Sequence, residues 1–312
     1  MSVLSQPQFH DEAAAFDWLE KTLWNGAPVC PHCGGMDRIS KIKPNVAARV
    51  RMGLHRCGDC KKQFTVKVGT VFEHARMPLH KMLQAVHLMC SSKKGISAHQ
   101  LHRILEIQYK TAWFLAHRIR EAMRSGELAP MGGAGGSGIV EIDETFIGRL
   151  GGEPDRKGHG VTSYKNTVFA LVERGGATRM FHVEGTTKNE LQAIIRANVD
   201  REARIMTDEG RWYLGLDKDF ASHGVVNHSR KEYARGDITT NTVEGSFSIF
   251  KRGMKGVYQH CAEKHLHRYL AEFEFRYNAR TALGVNDQQR TAKAAIGIKG
   301  KRTDLSGASF DQ

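Results

Sequence analysis

Two Cys-x-x-Cys pairs, Cys30-Pro31-His32-Cys33 and Cys57-Gly58-Asp59-Cys60, stand 23 residues apart near the start of a 312-residue chain. No other feature narrows the folding options as much. A two-residue spacer lets both sulfurs of a pair turn toward one point, and four thiolates in tetrahedral array suit a single zinc ion. His55-Arg56 and Gln63-Phe64-Thr65-Val66-Lys67-Val68 have strand character. The expected unit over residues 27–78 is a zinc ribbon with Cys30, Cys33, Cys57 and Cys60 as ligands. So small a segment has little core, and metal binding would supply most of its folding free energy, on the order of 10 kcal/mol. Cys90 and Cys261 stand alone and read as free thiols, so cysteine usage fits a reducing compartment better than disulfides.

Charge is distributed unevenly around this unit. Between Arg38 and Arg124 there are 18 Lys and Arg against 4 Asp and Glu, whereas the whole chain carries +13. A basic front on a near-neutral rear implies a polyanionic partner met mainly by the front, and nucleic acid is the expected one. No run approaches about 18 apolar residues, and the first residues lack a basic-then-apolar signal. A cytoplasmic protein that does not enter a membrane is expected.

Periodicity divides the rest of the chain. Asp11 to Leu23 reads as a capped helix within an N-terminal segment of residues 1–26. Residues 79–126 read as three helices. Leu79, Leu83, Val86 and Met89 mark the first, and Ser97-Ala98-His99-Gln100 opens a second with Leu101, Ile104 and Leu105 inward. Tyr109 to Arg124 is the third, with Trp113, Ala116, Ile119 and Met123 on its core stripe. Lys110, His117, Arg118, Arg120 and Arg124 are left for its outer side, and a short second helix before a basic third resembles a helix-turn-helix. Lys110, Arg118, Arg120 and Arg124 are the candidate DNA contacts. Residues 127–138, rich in glycine, read as a linker.

Beyond the linker the pattern becomes strands. Ile139–Ile147, Thr167–Val172 and Thr178–Val183 are three, with a glycine- and charge-rich loop at Gly148–Gly160. Thr187-Lys188-Asn189-Glu190 caps a helix, followed by short strands at Arg204–Thr207 and Gly224–Val226. Two helices close the unit, one over Asn241–Arg252 and one carrying Leu266, Tyr269, Leu270, Phe273 and Tyr277. The order predicts a mixed α/β sheet with helices on its faces, the ribonuclease H-like order, over residues 139–283. Residues 284–312 read as a polar, basic, loosely held tail.

Three acids on this layout carry the chemistry. Asp143 lies in the first strand, on the face it shares with Glu141 and Thr145, while Glu144 points to the other face. Asp208 ends a strand expected beside it, with Glu209 reading as a helix start. Glu244 follows after 35 intervening residues on a helix that can cross the sheet. Carboxylates gathered beside an apolar core ask for a countercharge, and three could hold two Mg²⁺ about 4 Å apart for in-line displacement at phosphorus. Glu244 and Lys251, seven residues apart, share one helix face, setting a cation beside the acids. Asn241 precedes Glu244 by one turn and reads as an accessory ligand, phosphate contact or N-cap. His228 reads as an accessory phosphate contact, a proton carrier or a structural histidine.

Asp143, Asp208 and Glu244 followed by Lys251 resemble the DDE signature of insertion-sequence transposases and retroviral integrases. Thr240-Asn241-Thr242-Val243-Glu244-Gly245, Lys251-Arg252-Gly253, and the runs His265–Leu270 and Phe275–Arg280 resemble one bacterial family more closely, the ISXO2-like transposases. Its members join an N-terminal zinc ribbon to this catalytic domain, and the likeness spans roughly residues 30 to 280. The resemblance implies an RNase H-like core, two Mg²⁺ or Mn²⁺ ions at the three acids, and one zinc in the ribbon. It also implies cleavage and strand transfer at an element's terminal inverted repeats. The partners would be double-stranded DNA, as element end and as target, and further copies of the chain in a nucleoid-associated complex. Lys251, with Arg252 beside it, would contact DNA near the acids. Some relatives place Asn at the third acidic position, which keeps Asn241 beside Glu244 as a candidate; the six residues between Glu244 and Lys251 favour Glu244. The competing classes are a non-catalytic zinc-ribbon DNA-binding regulator and a host nuclease on the same fold. Intact spacing of all three acids disfavours the regulator.

Overall fold

A computed structural model describes residues 2–126, 128–133, 137–148 and 165–301. The loop expected at Gly148–Gly160 lies outside these residues except for Gly148. The chain divides into two compact units, Met1–Arg124 with Val285–Gln312, and Ser125–Gly284. Among the described residues no helix is long and apolar enough to cross a membrane.

In the first unit, α1 (Glu12–Trp24) starts where the Asp11 carboxylate accepts the Ala14 N–H at 2.7 Å, and it buries Phe16 and Leu19. Three short antiparallel strands follow, β1 (Ile39–Lys41), β2 (His55–Cys57) and β3 (Gln63–Phe64). Trp24 packs edge-on against His55 and Phe64, which joins α1 to the ribbon. Gly53 has φ +69°, and a Cβ there would meet the Phe16 ring at 2.1 Å, so only glycine fits beneath that ring.

The helices α2 (Leu79–Ser91), α3 (Ala98–Leu105) and α4 (Tyr109–Met123) take the expected places. Ser97 caps α3 by accepting the Gln100 N–H, with Leu101 and Leu105 buried, although Ile104 stays half exposed. Within the stretch expected as a loose tail, α8 (Asp287–Ile296) forms and lies along α2, while residues 302–312 lie outside the described residues. A reciprocal Asn286–Gln289 capping box starts it. Arg290 donates to the Cys90 carbonyl at 2.8 Å, and His87 pairs with the Thr291 hydroxyl at 2.9 Å. Beyond it, the Lys301 ammonium donates to the Ala122 and Arg124 carbonyls at the end of α4. α8 also meets α4. On α4, His117 and Arg120 are buried. The expectation that they face outward is corrected.

The second unit is a five-stranded sheet in the order β6-β5-β4-β7-β8. β4 (Ile139–Ile147), β5 (Asn166–Glu173) and β6 (Thr178–Val183) are antiparallel; β7 (Arg204–Thr207) and β8 (Ser222–Val225) run parallel to β4. This is the RNase H-like arrangement the strand order predicts. α5 (Lys188–Asn198), capped by Thr187, covers one face with Leu191 and Ile195 against Ile142, Phe169 and Ile205. α6 (Asn241–Gly253) and α7 (Leu266–Asn278) cover the other with Val243, Phe247, Phe250 and Phe273 against Val168 and Ala170. A hairpin of β9 (Ala234–Arg235) and β10 (Ile238–Thr239) leads into α6. Met131, within the stretch expected as a linker, is buried in this core, and its N–H and carbonyl bond to Asn198 and Asp200. That end of the glycine-rich stretch belongs to the fold, because an apolar side chain there gains more from burial than from solvent.

Candidate active site and zinc centre

Each cysteine knuckle closes through one left-handed residue, Gly34 in the first and Lys61 in the second. The Gly34 N–H returns to the Cys30 carbonyl, and the Cys57 N–H bonds the Lys62 carbonyl. Cys30 and Cys60 sulfurs stand 3.7 Å apart and those of Cys33 and Cys57 3.6 Å, with all four thiols within 4.8 Å of one another. The Cys60 N–H, donating to its sulfur, brings the Cys57 thiol down to about 7. The Gly35 N–H favours a thiolate at Cys33, but bonds to the Cys30 and Cys60 sulfurs outweigh it and push that thiol up to about 12. Four thiols this close cannot all ionise unaided, and the set fits a tetrahedral zinc ion. These four residues are a zinc-ribbon centre.

The acids arrive by a different route. Alternation along β4 sets Glu141, Asp143 and Thr145 on the α6 side, with Val140 and Ile142 in the opposite core. β4 pairs with β7 through Glu141 opposite Met206, and two residues further the same register brings Asp143 beside Asp208. The Gly210 N–H donates to Asp208 Oδ1 at 2.9 Å, fixing that carboxylate just past the strand end. α6 turns Val243, Phe247, Phe250 and Met254 into the core, which leaves Glu244, Ser248, Lys251 and Lys255 on the opposite side. A cleft of about 730 Å³ follows, with Asp143 and Glu244 at its acidic part and Lys251, Arg252 and Lys255 as its cations.

Burial first, then the charges of Glu144, Asp208 and Glu244, push the Asp143 carboxyl up to about 8. Burial also raises Asp208, against the Gly210 N–H and the nearby His228. Glu144 faces the other side, as expected, and its raised carboxyl accepts the Tyr213 hydroxyl at 2.6 Å. Among the described residues only the four cysteines form a group of ligand atoms all within 4.8 Å, so the carboxylates are neighbours in a more open array. A carboxyl that its acidic neighbours raise, as they raise Asp143, favours a bound cation. Asp143, Asp208 and Glu244 could hold one through hard oxygen donors.

The ISXO2-like transposase domain family matches residues 136–278, and the transposase zinc-ribbon domain matches residues 10–63. Residues 136–278 are thus an ISXO2-like transposase domain, behind a transposase zinc ribbon. A relative in Halobacterium salinarum (strain ATCC 700922 / JCM 11081 / NRC-1), an uncharacterized protein in transposable element ISH50, is 28% identical over 282 residues, covering 86% of this chain and 91% of that protein. Two solved structures are more distantly similar. The Mos1 strand transfer complex has a TM-score of 0.29 at 13% identity, covering 74% of this chain and 82% of that one. A pre-cleavage Mos1 transpososome has a TM-score of 0.23 at 12% identity, covering 69% and 74%. The family assignment does not rest on either.

In this DDE transposase, His228 does reach the acid cluster. Its Nε2 lies 3.6 Å from Glu244 Oε1 and 3.4 Å from the Thr240 hydroxyl. Glu209, expected to start a helix, instead accepts the His228 N–H, the Ser229 N–H and the Ser229 hydroxyl, and the last of these leads in pulling its carboxyl down to about 2. The N-cap of α6 is Thr240, so Asn241 is an exposed first-turn residue and not the cap. On α4, Lys110 and Arg124 are exposed, while Arg118 is half-buried and donates to the Glu73 carbonyl. Arg120 is 2% exposed, which corrects the outward placement expected of it. Sequence reasoning set Glu141 aside and passed over Thr240 and Arg174. Strand alternation, which puts Glu141 and Asp143 on one face, was the available signal.

Proposed function

We propose that this transposase cuts double-stranded DNA at the terminal inverted repeats of its insertion sequence and joins the ends to a target. In this reading Asp143, Asp208 and Glu244 hold two divalent ions, Mg²⁺ or Mn²⁺. The observation that carries it is the half-buried Asp143 sharing one cleft with Glu244, Lys251 and Arg252, with Asp208 near enough to help raise its carboxyl. Ions bound there would polarise the phosphodiester and lower the pKa of the attacking hydroxyl or water. Lys251 and Arg252, with Lys255 on the next turn, hold backbone phosphates along the cleft and keep the scissile bond against the acids. Thr240 and His228 orient the Glu244 carboxylate, and Asn241 stands at the rim as an accessory contact. The zinc ribbon and the exposed first turn of α4, with Lys110, grip the DNA end, and copies of the chain assemble on paired ends in the bacterial cytoplasm.

Replacing Asp143, Asp208 or Glu244 by its amide should abolish nicking and joining of inverted-repeat duplexes while binding to the same DNA persists. Full activity in Asp208→Asn would sink the assignment. A parent protein that binds these ends but never cuts them, with any divalent ion, would favour the regulator reading instead.

A further inference from the structure

Glu141 is fully buried on β4, two residues before Asp143. Its hydrogen bonds converge on the start of α6. Oε2 accepts the Thr242 N–H at 2.6 Å and the Val243 N–H at 3.0 Å. Oε1 accepts the Thr242 hydroxyl at 2.9 Å and Arg174 Nε at 2.6 Å. Arg174 reaches on through its Nη2 to the Thr239 carbonyl at 3.1 Å, in the strand that enters the helix.

A helix begins with N–H groups that its own carbonyls cannot satisfy, and a local N-cap side chain is the usual answer. α6 does not use one. Thr240 occupies the N-cap without bonding a backbone N–H, and its hydroxyl goes to Glu244. The Asn241 N–H goes to the Thr239 hydroxyl, and those of Thr242 and Val243 are met from β4 by Glu141. The carboxylate also faces the positive end of the helix dipole, and Arg174 supplies the charge that makes full burial tolerable. β4 carries Asp143 and α6 carries Glu244, so these bonds fix the height and rotation of one acid against the other. An ångström of misplacement at such a site costs on the order of 100-fold in rate.

We propose that Glu141, neutralised by Arg174, is a positioning residue that sets Glu244 against Asp143 in the ion-binding cluster. This rests on the reading that those acids hold the ions. The test is Glu141→Gln in the full chain, since a glutamine must turn its NH₂ toward either two backbone donors or Arg174. The turnover number on an inverted-repeat duplex is expected to fall roughly 100-fold with unchanged KM for DNA. Mn²⁺ binding, followed by its paramagnetic resonance without DNA, is expected to weaken several-fold. Thr242→Val changes no charge and keeps the backbone bonds; it is expected to lose roughly 5-fold in turnover, with Thr242→Ser restoring it. This pair decides alone should Glu141→Gln fail to fold. Glu244→Gln tests the underlying reading: parental turnover there overturns the assignment of the acids. If Glu244→Gln is dead while Glu141→Gln and Thr242→Val keep parental turnover and Mn²⁺ affinity, the positioning role is overturned and the acid assignment stands.

Discussion

The Thr240 hydroxyl donates a 2.9 Å hydrogen bond to Glu244 Oε1, one helical turn further on, and lies 3.4 Å from His228 Nε2. Thr240 is buried, whereas the Glu244 side chain is close to half exposed. A buried donor therefore holds an exposed acid in one rotamer, and a histidine approaches the same oxygen. Glu244 thus reaches the cleft already oriented, which reduces the ordering a bound ion must impose.

Removing that donor separates orientation from charge. Thr240→Val keeps shape and burial but loses a hydrogen bond to a charged group, worth about 1.5–3 kcal/mol. Single-turnover cleavage is expected to slow by roughly 10-fold or more, by the same energy. Thr240→Ser should remain near the parental rate. Equal rates for the valine and serine variants would remove the hydroxyl from the mechanism.

The ribbon should be a metal-dependent fold. Its core among the described residues is Cys30, Cys57 and Phe64, with Trp24, Ile39, Cys60 and Val68 against it, too little apolar surface to hold three short strands alone. One zinc per chain is expected by elemental analysis. Stripping it with a chelator, or Cys57→Ser, should expose the Trp24 indole and shift its fluorescence to the red. An unshifted spectrum in the metal-free protein would mean that α1 and the strands hold together without zinc.

Most of the second unit was legible because its signals are local. Apolar runs mark β4, β5 and β7, and Thr187 bonds the Glu190 N–H where the capping box predicted. Asp143 and Asp208 could be set side by side from strand order alone. What escaped depends on partners distant in sequence. α8 presents only Ala294 and Ala295 as buried apolar groups within its bounds, so its packing left no periodic stripe, although Asn286-x-x-Gln289 already spelled a cap. Arg120 and His117 read as surface residues because helical spacing marks a face without showing what covers it, and both are buried. Glu141 was passed over because its partners, Thr242 and Val243, lie about a hundred residues away.

The docking of α8 on α2 should be acid-sensitive. Burial lowers the pKa of His87 below its ordinary 6.5, with Asp287 pulling the other way, and its ring pairs with the Thr291 hydroxyl. The unfolded chain then takes up a proton more readily than the folded one. The His87 contribution to stability is present above about pH 6.5, declines as pH falls below it, and levels off once the folded state protonates too. Melting temperature should therefore fall more for the parent than for His87→Gln between about pH 7.5 and about pH 5.5. Comparing the two cancels the acid loss of zinc, which both share. Parallel curves would place the sensitivity elsewhere.

Glu272 and Arg276 form an ion pair one turn apart on α7, both buried, and the Tyr258 hydroxyl donates to the same Glu272 oxygen at 2.5 Å. Such a pair gives up the hydration of two charges, and its attraction roughly repays that loss, so its net value is small while each partner's dependence on the other is large. Arg276→Met should accordingly destabilise the second unit by about 3–5 kcal/mol, because it takes away the cation one turn from a fully buried carboxylate. Adding Glu272→Leu to that variant removes the buried negative charge and should recover part of the loss, although the bond from the Tyr258 hydroxyl is given up and keeps the double variant below the parent. Urea unfolding of the parent, both single variants and the double variant measures the coupling directly. Additive losses would mean that the two charges act independently in the fold, whereas a double variant more stable than Arg276→Met alone is the outcome the burial of both groups requires.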